Sequence, residues 1–289
     1  MILRGLILGM LLVGSAFAAE PVVPPSPTLT PAGDTAGPLQ LNAAQQLQWK
    51  PDDQALEASG NVHLTYKGFV LQAHRARLLY RDTPSSVPPT TTAPAMDQIR
   101  ALDLQGDVVF NNAPYTITCQ RAQYQFSDQR LHLTGDPVVV KNDTDTAKIW
   151  GTLTMDLAQS RMDGVGPVHL SRQSYDIKGN DLTLMFLPWD INQLQNATLN
   201  TASLLRDVVL IHPQLNVTAN HGLYDAAGQT ITLTSNVTIT RQNSVIRTEQ
   251  AVLDLTTRRV RLKSPNQPVT GTLHVPDFEK DKTQPKDTP

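Results

Sequence analysis

A segment resembling a β-hairpin recurs along this chain, and it restricts the possible folds more than any other feature. Five Asn or Asp residues open the copies, and each stands twelve residues before an equivalent position in the second half of the copy. A small residue, Ala or Gly, follows three residues after that position. The openings are Asn61, Asp107, Asp136, Asp207 and Asn236; the equivalent positions are Ala73, Cys119, Lys148, Ala219 and Thr248; the small residues are Ala76, Ala122, Gly151, Gly222 and Ala251.

Apolar residues alternate with polar ones after each opening, as Val62 and Leu64 illustrate. A period of two is typical of a strand with one buried face. Clusters of Gly, Asn, Asp and Pro follow, as strand reversals require. Each copy is therefore predicted to be a hairpin that begins at its Asn or Asp, with a less regular sixth copy near Pro167 and Gly179. A single hairpin cannot bury its apolar face, so the copies are expected to stack into an all-β fold.

The composition suggests five segments. Residues 1–18 have one Arg, an apolar run and an A-x-A site, which predicts a cleaved signal peptide and export. Residues 19–38 are a Pro-rich linker, and residues 276–289 are a polar tail that is predicted to be disordered. Between them we predict domain 1 at 39–163, with a flexible insertion at 82–97, and domain 2 at 164–275.

The charge and cysteine content exclude several classes. A formal net charge of −2 gives no basic excess of the kind that nucleic-acid binding requires. The one cysteine, Cys119, cannot form an internal disulfide and is predicted to be a buried apolar residue.

No catalytic motif is found. The seven His are scattered, and no Cys cluster, phosphate loop or nucleophile motif accompanies them. We therefore expect no enzyme, no metal and no cofactor. The apolar segment around Phe186 and Trp189 is either a core strand ended by Pro188 or the margin of an apolar groove.

Basic residues offer a second candidate surface. They are either a solvated face or charged edge strand, or the rim of a lipid site that contacts anionic head groups. The candidates are Arg75, Arg77, Arg258, Arg261 and Lys263.

The segments "GNVHLTYKGFVLQAHRARLLY", "LQGDVVF", "YTITCQRAQYQF" and "LHLTGDPVVV" resemble, in that order, the LptA family, or OstA-like N-terminal domain. The segment that ends in "PVTGTL" resembles the LptC member of the same superfamily. The resemblance implies two tandem open, twisted β-jelly rolls, each with an apolar groove that shields lipid acyl chains. It further implies a periplasmic location and partners in lipopolysaccharide transport, which the edge strands would contact, with end-to-end self-association.

The leading hypothesis is a non-enzymatic periplasmic bridge that binds the lipid A acyl chains of lipopolysaccharide between the inner and outer membranes. The alternative is a structural or adhesive β-repeat protein that binds proteins and no lipid. The same apolar residues would line a groove in the first case and fill a closed core in the second. They are Val62, Leu64, Leu71, Val108, Phe110, Ile117, Leu131, Leu133 and Val138 in domain 1, and Val237, Ile239 and Leu253 in domain 2.

The same spacing on both sides of residue 165 leads to one more prediction. If both halves are rolls of one kind, the end of the first can pair with the start of the second. One continuous sheet and one continuous groove would then run through the molecule.

Overall fold

The computed structural model describes residues 40–66, 69–81, 99–112, 114–172, 175–188, 197–213, 215–241, 244–257 and 259–272. Six predicted features lie outside these residues: the signal peptide, the Pro-rich linker, the 82–97 insertion, Trp189, Arg258 and the polar tail.

The described chain is all-β, as predicted, and its strands belong to one 18-stranded antiparallel sheet. The strands are β1 Gln40–Asn42, β2 Gln46–Lys50, β3 Ala55–Tyr66, β4 Phe69–Tyr80, β5 Ile99–Asn112, β6 Tyr115–Gln125, β7 Arg130–Lys141, β8 Asp145–Asp156, β9 Arg161–Val165, β10 Val168–Arg172, β11 Tyr175–Gly179, β12 Asp181–Phe186, β13 Leu199–His212, β14 Leu215–Asp225, β15 Thr230–Arg241, β16 Ser244–Asp254, β17 Arg259–Lys263 and β18 Thr270–Thr272.

The sheet forms two layers because each long strand contributes one half to each layer. The first layer contains β1, the halves of β3 to β8 next to the tight hairpin turns, β10, β11, the corresponding halves of β13 to β16, and β18. The second layer contains β2, the other halves of the same long strands, β9, β12 and β17. The register between neighbouring long strands shifts at the boundary between the layers.

The Asn and Asp residues of the repeat lie at this boundary, in the middle of strands and not at their starts. Gly60 and Asn61 have φ of 78° and 45°, and Gly106 and Asp107 have φ of 78° and 47°. Two such residues face a single residue of the neighbouring strand, which is a β-bulge and bends the strand. Gly, Asn and Asp tolerate the left-handed region best. The repeat is therefore confirmed, but the predicted strand starts are wrong.

The third copy also departs from the predicted spacing. Lys148 is exposed, whereas its neighbours Ala147 and Ile149 are buried. Strand β7 has one more residue between inward-facing Leu133 and Val138 than a regular copy has between its corresponding positions. The pairing of β8 with β7 is therefore shifted by one position, so Ile149 faces inward in place of Lys148.

The blurred sixth copy connects the two halves of the sheet. Strand β9 pairs with β8 and β12 in the second layer, while β10 pairs with β8 and β11 in the first. Strands β9 and β10 thus correspond to the two halves of one bent strand. The same is true of β11 and β12. The predicted continuous sheet is present, whereas the division into two domains and the jelly-roll detail remain predictions.

The larger of two hydrophobic clusters among the described residues lies between the layers and extends from Ala58 in β3 to Leu255 after β16. Large and small residues alternate across the strands of the second layer, as in the directly opposed series Leu104, Ala122 and Leu133. Contacts between the layers are close: a Cβ built on Gly179 of β11 would lie 2.6 Å from Cγ of Leu204 in β13. The absence of a side chain at Gly179 therefore lets β11 and β13 approach closely near the bend.

Candidate functional site

A continuous row of apolar side chains crosses the first layer from β3 to β16 and is the main candidate for a binding surface. Its members are directly opposed in register from strand to strand. In order they are Leu64, Leu71, Phe110, Ile117, Val140, Ala147, Leu170, Ile177, Leu210, Val217, Ile239 and Ile246. At about 4.8 Å between neighbouring strands, this apolar row extends over roughly 50 Å.

The apolar row is not buried uniformly. Phe110, Ile117 and Val140 are half-buried on β5 to β7, and Leu210, Ile239 and Ile246 are half-buried in the second half of the chain. Between these two stretches, Ala147, Leu170 and Ile177 are buried. The interior is thus closed at the centre and partly accessible on each side of it.

The second layer ends in a row of apolar residues at its long turns, which we call the apolar edge. Each backbone N–H donates a hydrogen bond to a carbonyl in the neighbouring turn or at the start of the neighbouring strand, as Tyr80 does to Gln54 and Phe126 does to Arg100. The apolar edge comprises Tyr80, Phe126, Leu157, Phe186, Ala226 and Leu255. Phe186 is buried in the core, as the core-strand alternative for that segment predicted.

The first layer ends at its hairpin turns in polar and aromatic side chains, which we call the polar edge. Its central members are Tyr115, Asn142, Asp145, Arg172, Tyr175 and His212. Burial raises the pKa of Tyr115 to about 12, and the bond from Asn142 opposes that shift. The space between the layers therefore has one apolar and one polar edge, an arrangement suited to an amphipathic ligand.

The predicted apolar candidates all face the interior. Phe110, Ile117, Ile239 and Leu253 are half-buried. The remaining candidates are buried core residues: Val62, Leu64, Leu71, Val108, Leu131, Leu133, Val138 and Val237. Their assignment to a groove remains a prediction, and the half-buried positions are the best placed to test it.

The predicted basic candidates lie elsewhere. Arg75 and Arg77 are on either side of buried Ala76 and therefore face away from the interior. They line a polar groove of about 950 Å³ on the outer surface, where Arg77 Nε is 3.4 Å from Glu57 Oε1. A hydrogen bond from Lys50 lowers the pKa of Glu57.

Arg261 and Lys263 are exposed on β17, which pairs with β16 at the end of the second layer. This placement suits the charged-edge alternative. The rim role of the basic candidates remains a prediction.

Other chemistry is sparse in the part of the chain that the structure describes. No group of three His, Cys, Asp or Glu side chains there is suited to hold a metal ion. Cys119 is buried, as predicted, and burial raises its pKa to about 12. Among the same residues, no helix has the length and apolar character needed to span a membrane.

Sequence reasoning missed the polar edge. Asp145 and Arg172 are 27 residues apart and belong to different copies of the repeat. The sequence did contain one signal: Asp145 is two residues before inward-facing Ala147, and Arg172 is two residues after inward-facing Leu170. Alternation with a period of two therefore places both side chains on the inner face.

Comparison with known proteins agrees with the LptC resemblance of the second half. Residues 193–272 match the family described as "Lipopolysaccharide-assembly, LptC-related". The matched segment contains strands β13 to β18 and lies inside the predicted second domain.

Among solved structures, the chain is similar to LptH from Pseudomonas aeruginosa, described as "the LptA homologous periplasmic component of the conserved lipopolysaccharide transport device". The two sequences are 14% identical, the alignment covers 56% of this chain and 96% of that chain, and the TM-score is 0.26. No curated protein matches the chain.

Proposed function

We propose that this chain is a non-enzymatic lipopolysaccharide-transport protein of the periplasm, which shields lipid acyl chains between its two layers. The observation that carries the proposal is the unbroken apolar row, which passes from β3 to β16 through both halves of the chain. The LptC-related match to residues 193–272 supports a role in lipopolysaccharide assembly. The two half-buried stretches of the row are the proposed contact points for acyl chains.

The energetics suit a carrier. Burying about 12 methylenes contributes at most roughly 10 kcal/mol, at about 0.8 kcal/mol per CH₂. Lost translational and rotational freedom reduces that value. Within each half-buried stretch, the row offers the same apolar chemistry at successive strands, so an acyl chain can advance there with little change in free energy.

The ends of the sheet suit contacts with other components of the transport system. Strands β1 and β2 end the layers on one side, and β17 and β18 end them on the other. Unpaired backbone groups of edge strands can add a strand from a partner. We propose that both ends join such partners, and that the protein thereby bridges the two membranes.

Site-specific photo-crosslinking in cells tests the acyl-chain proposal. A photoreactive residue at Phe110 or Ile239 is expected to give lipopolysaccharide adducts, because both side chains are half-buried on the inner face. The matched controls are Val109 and Thr238, which neighbour them in sequence and face the opposite side. Adducts at the controls only, or at no inner position, would contradict the proposal.

Depletion separates the proposal from a protein-binding adhesin. A transport protein is required for surface lipopolysaccharide and for the outer-membrane barrier, whereas an adhesin is not. An intact barrier and normal surface lipopolysaccharide after depletion would favour the adhesin.

A further inference from the structure

A charged pair is located at the centre of the polar edge, next to the buried part of the apolar row. Asp145 begins β8, Arg172 ends β10, and the two are directly opposed in register. Two residues away along each strand are Ala147 and Leu170 of the apolar row. The pair therefore lies where the apolar interior meets the edge of the first layer.

The Asp145 carboxylate is fixed in position but incompletely satisfied. Its Oδ2 accepts hydrogen bonds from Thr144 Oγ1 at 2.9 Å and from Asn142 Nδ2 at 3.3 Å. Its side chain is 2% exposed, yet Oδ1 has no hydrogen-bond donor among the described residues. Arg172 Nε is 3.4 Å from Oδ1, which makes an ion pair without a hydrogen bond.

The Arg172 guanidinium is partly exposed, so its N–H groups can reach a ligand. Its side chain is 16% exposed, and the ion pair with Asp145 is its one polar interaction with the described residues. A guanidinium offers five N–H donors, and buried polar groups in native proteins are nearly always hydrogen-bonded. Unused donors beside an unused buried acceptor indicate a ligand that both accepts and donates hydrogen bonds.

We propose that Arg172 and Asp145 form a head-group site for a phosphorylated glycolipid. Arg172 donates hydrogen bonds to phosphate oxygens, for which its planar fork is well matched. Asp145 Oδ1 accepts a hydrogen bond from a sugar hydroxyl of the same head group. The proposal rests on the lipid-transport function above and identifies which part of the lipid is recognised at the centre of the path.

The surroundings fit such a ligand. Tyr175 is opposed to Arg172 in register, and its ring packs against His212 with centroids 4.4 Å apart and planes tilted by 30°, which makes the neighbouring edge aromatic. The half-buried stretches of the apolar row lie on both sides, so acyl chains can enter the interior beside a head group held here. Asp145 offsets the charge of Arg172, which limits phosphate affinity and favours release from a carrier.

Calorimetric titration with two lipids tests the site: a phosphorylated lipid A-type glycolipid and its phosphatase-treated form. The wild-type protein is expected to bind the phosphorylated lipid about tenfold more tightly or better, as charged hydrogen bonds allow. Arg172→Gln is expected to abolish that preference and to leave the affinity for the dephosphorylated lipid unchanged. Arg172→Lys, which keeps the charge and loses the fork, should retain part of the preference.

Arg121→Gln is the matched control, because Arg121 also pairs with an Asp, Asp103 at 2.6 Å, but on the outer face. It is expected to keep the full preference for phosphate. A preference that survives Arg172→Gln, or that Arg121→Gln removes equally, would overturn the proposal.

The Arg172 Nε–H NMR signal of the wild-type protein provides a test that needs no variant. The phosphorylated lipid is expected to shift the signal, and the dephosphorylated lipid to leave it in place. If inorganic phosphate alone shifts the signal while the two lipids act alike, the site binds free phosphate and the head-group assignment is wrong. Crosslinking of both lipids at Phe110 without any phosphate preference would refute this site and leave the transport proposal intact.

Discussion

The contact between Gly179 and Leu204 allows a quantitative test of how tightly the layers pack where the two halves meet. Leu204 is 0% exposed, and a Cβ added to Gly179 would lie 2.6, 2.8 and 3.0 Å from three of its side-chain carbons. Favourable carbon contacts are about 3.5–4.0 Å long. Gly179→Ala is therefore expected to lower the free energy of unfolding by about 1–3 kcal/mol through overpacking.

Leu204→Ala is expected to cost about 2–5 kcal/mol, because it removes buried carbons and leaves a cavity. In the double variant, the new methyl group at position 179 occupies part of that cavity. The double variant should thus be more stable than the sum of the two single effects predicts, by about 1–2 kcal/mol.

Urea denaturation followed by circular dichroism measures all three variants. Gly222→Ala is the matched control, since a Cβ there would lie 3.4 Å from Leu233 and 3.6 Å from Val208, at ordinary contact distance. It should change stability little. Additive effects of Gly179→Ala and Leu204→Ala would refute the close contact between the layers.

Two further predictions concern titrating groups. A backbone hydrogen bond from Thr257 holds the pKa of Asp254 below its ordinary value of 3.8. The ionised Asp254 therefore stabilises the fold above pH 3.8, and this contribution is lost as the pH falls through the lower pKa of the folded state. Asp254→Ala should therefore lower the urea midpoint at pH 6 and have a smaller effect at acid pH; an equal effect at both would contradict this. Because burial raises the pKa of Cys119 to about 12, a maleimide should label the protein in urea but not in its native state at neutral pH, and rapid native labelling would contradict the burial.

The all-β class, the repeat and the inward-facing residues could be predicted from the sequence, because alternation with a period of two can be recognised within a single strand. Val62 and Leu64 illustrate it, because both are buried as their alternation predicted. The role of Asn61 was not predictable in the same way. A Gly-Asn pair favours positive φ in a turn and in a bulge alike, and only the neighbouring strand distinguishes the two.

The polar edge and the placement of Arg75 depend on tertiary structure. Asp145 and Arg172 meet because one half of β8 pairs with β9 and the other half pairs with β10. This pairing arises because β9 and β10 together replace one long strand in the middle of the chain. The charge of Arg75 left a solvated face and a lipid rim open, and its position beside inward-facing Ala76 places it on the outer face. The face of a strand is readable from sequence, whereas the partners of a charge on that face are not.

The meander of strands also has a kinetic consequence. Most strands pair with the strand that precedes or follows them, so the contact order is low for an all-β protein, and hairpin formation can start at several places and spread to neighbours. Stability in such an array is approximately a sum of unit and nearest-neighbour terms. Deletion of one complete hairpin, such as β14 with β15, would join β13 to β16 and shorten the apolar row by two positions, while the type of interface between the remaining strands is preserved. The length of the path is therefore a property that evolution can change in steps of one hairpin.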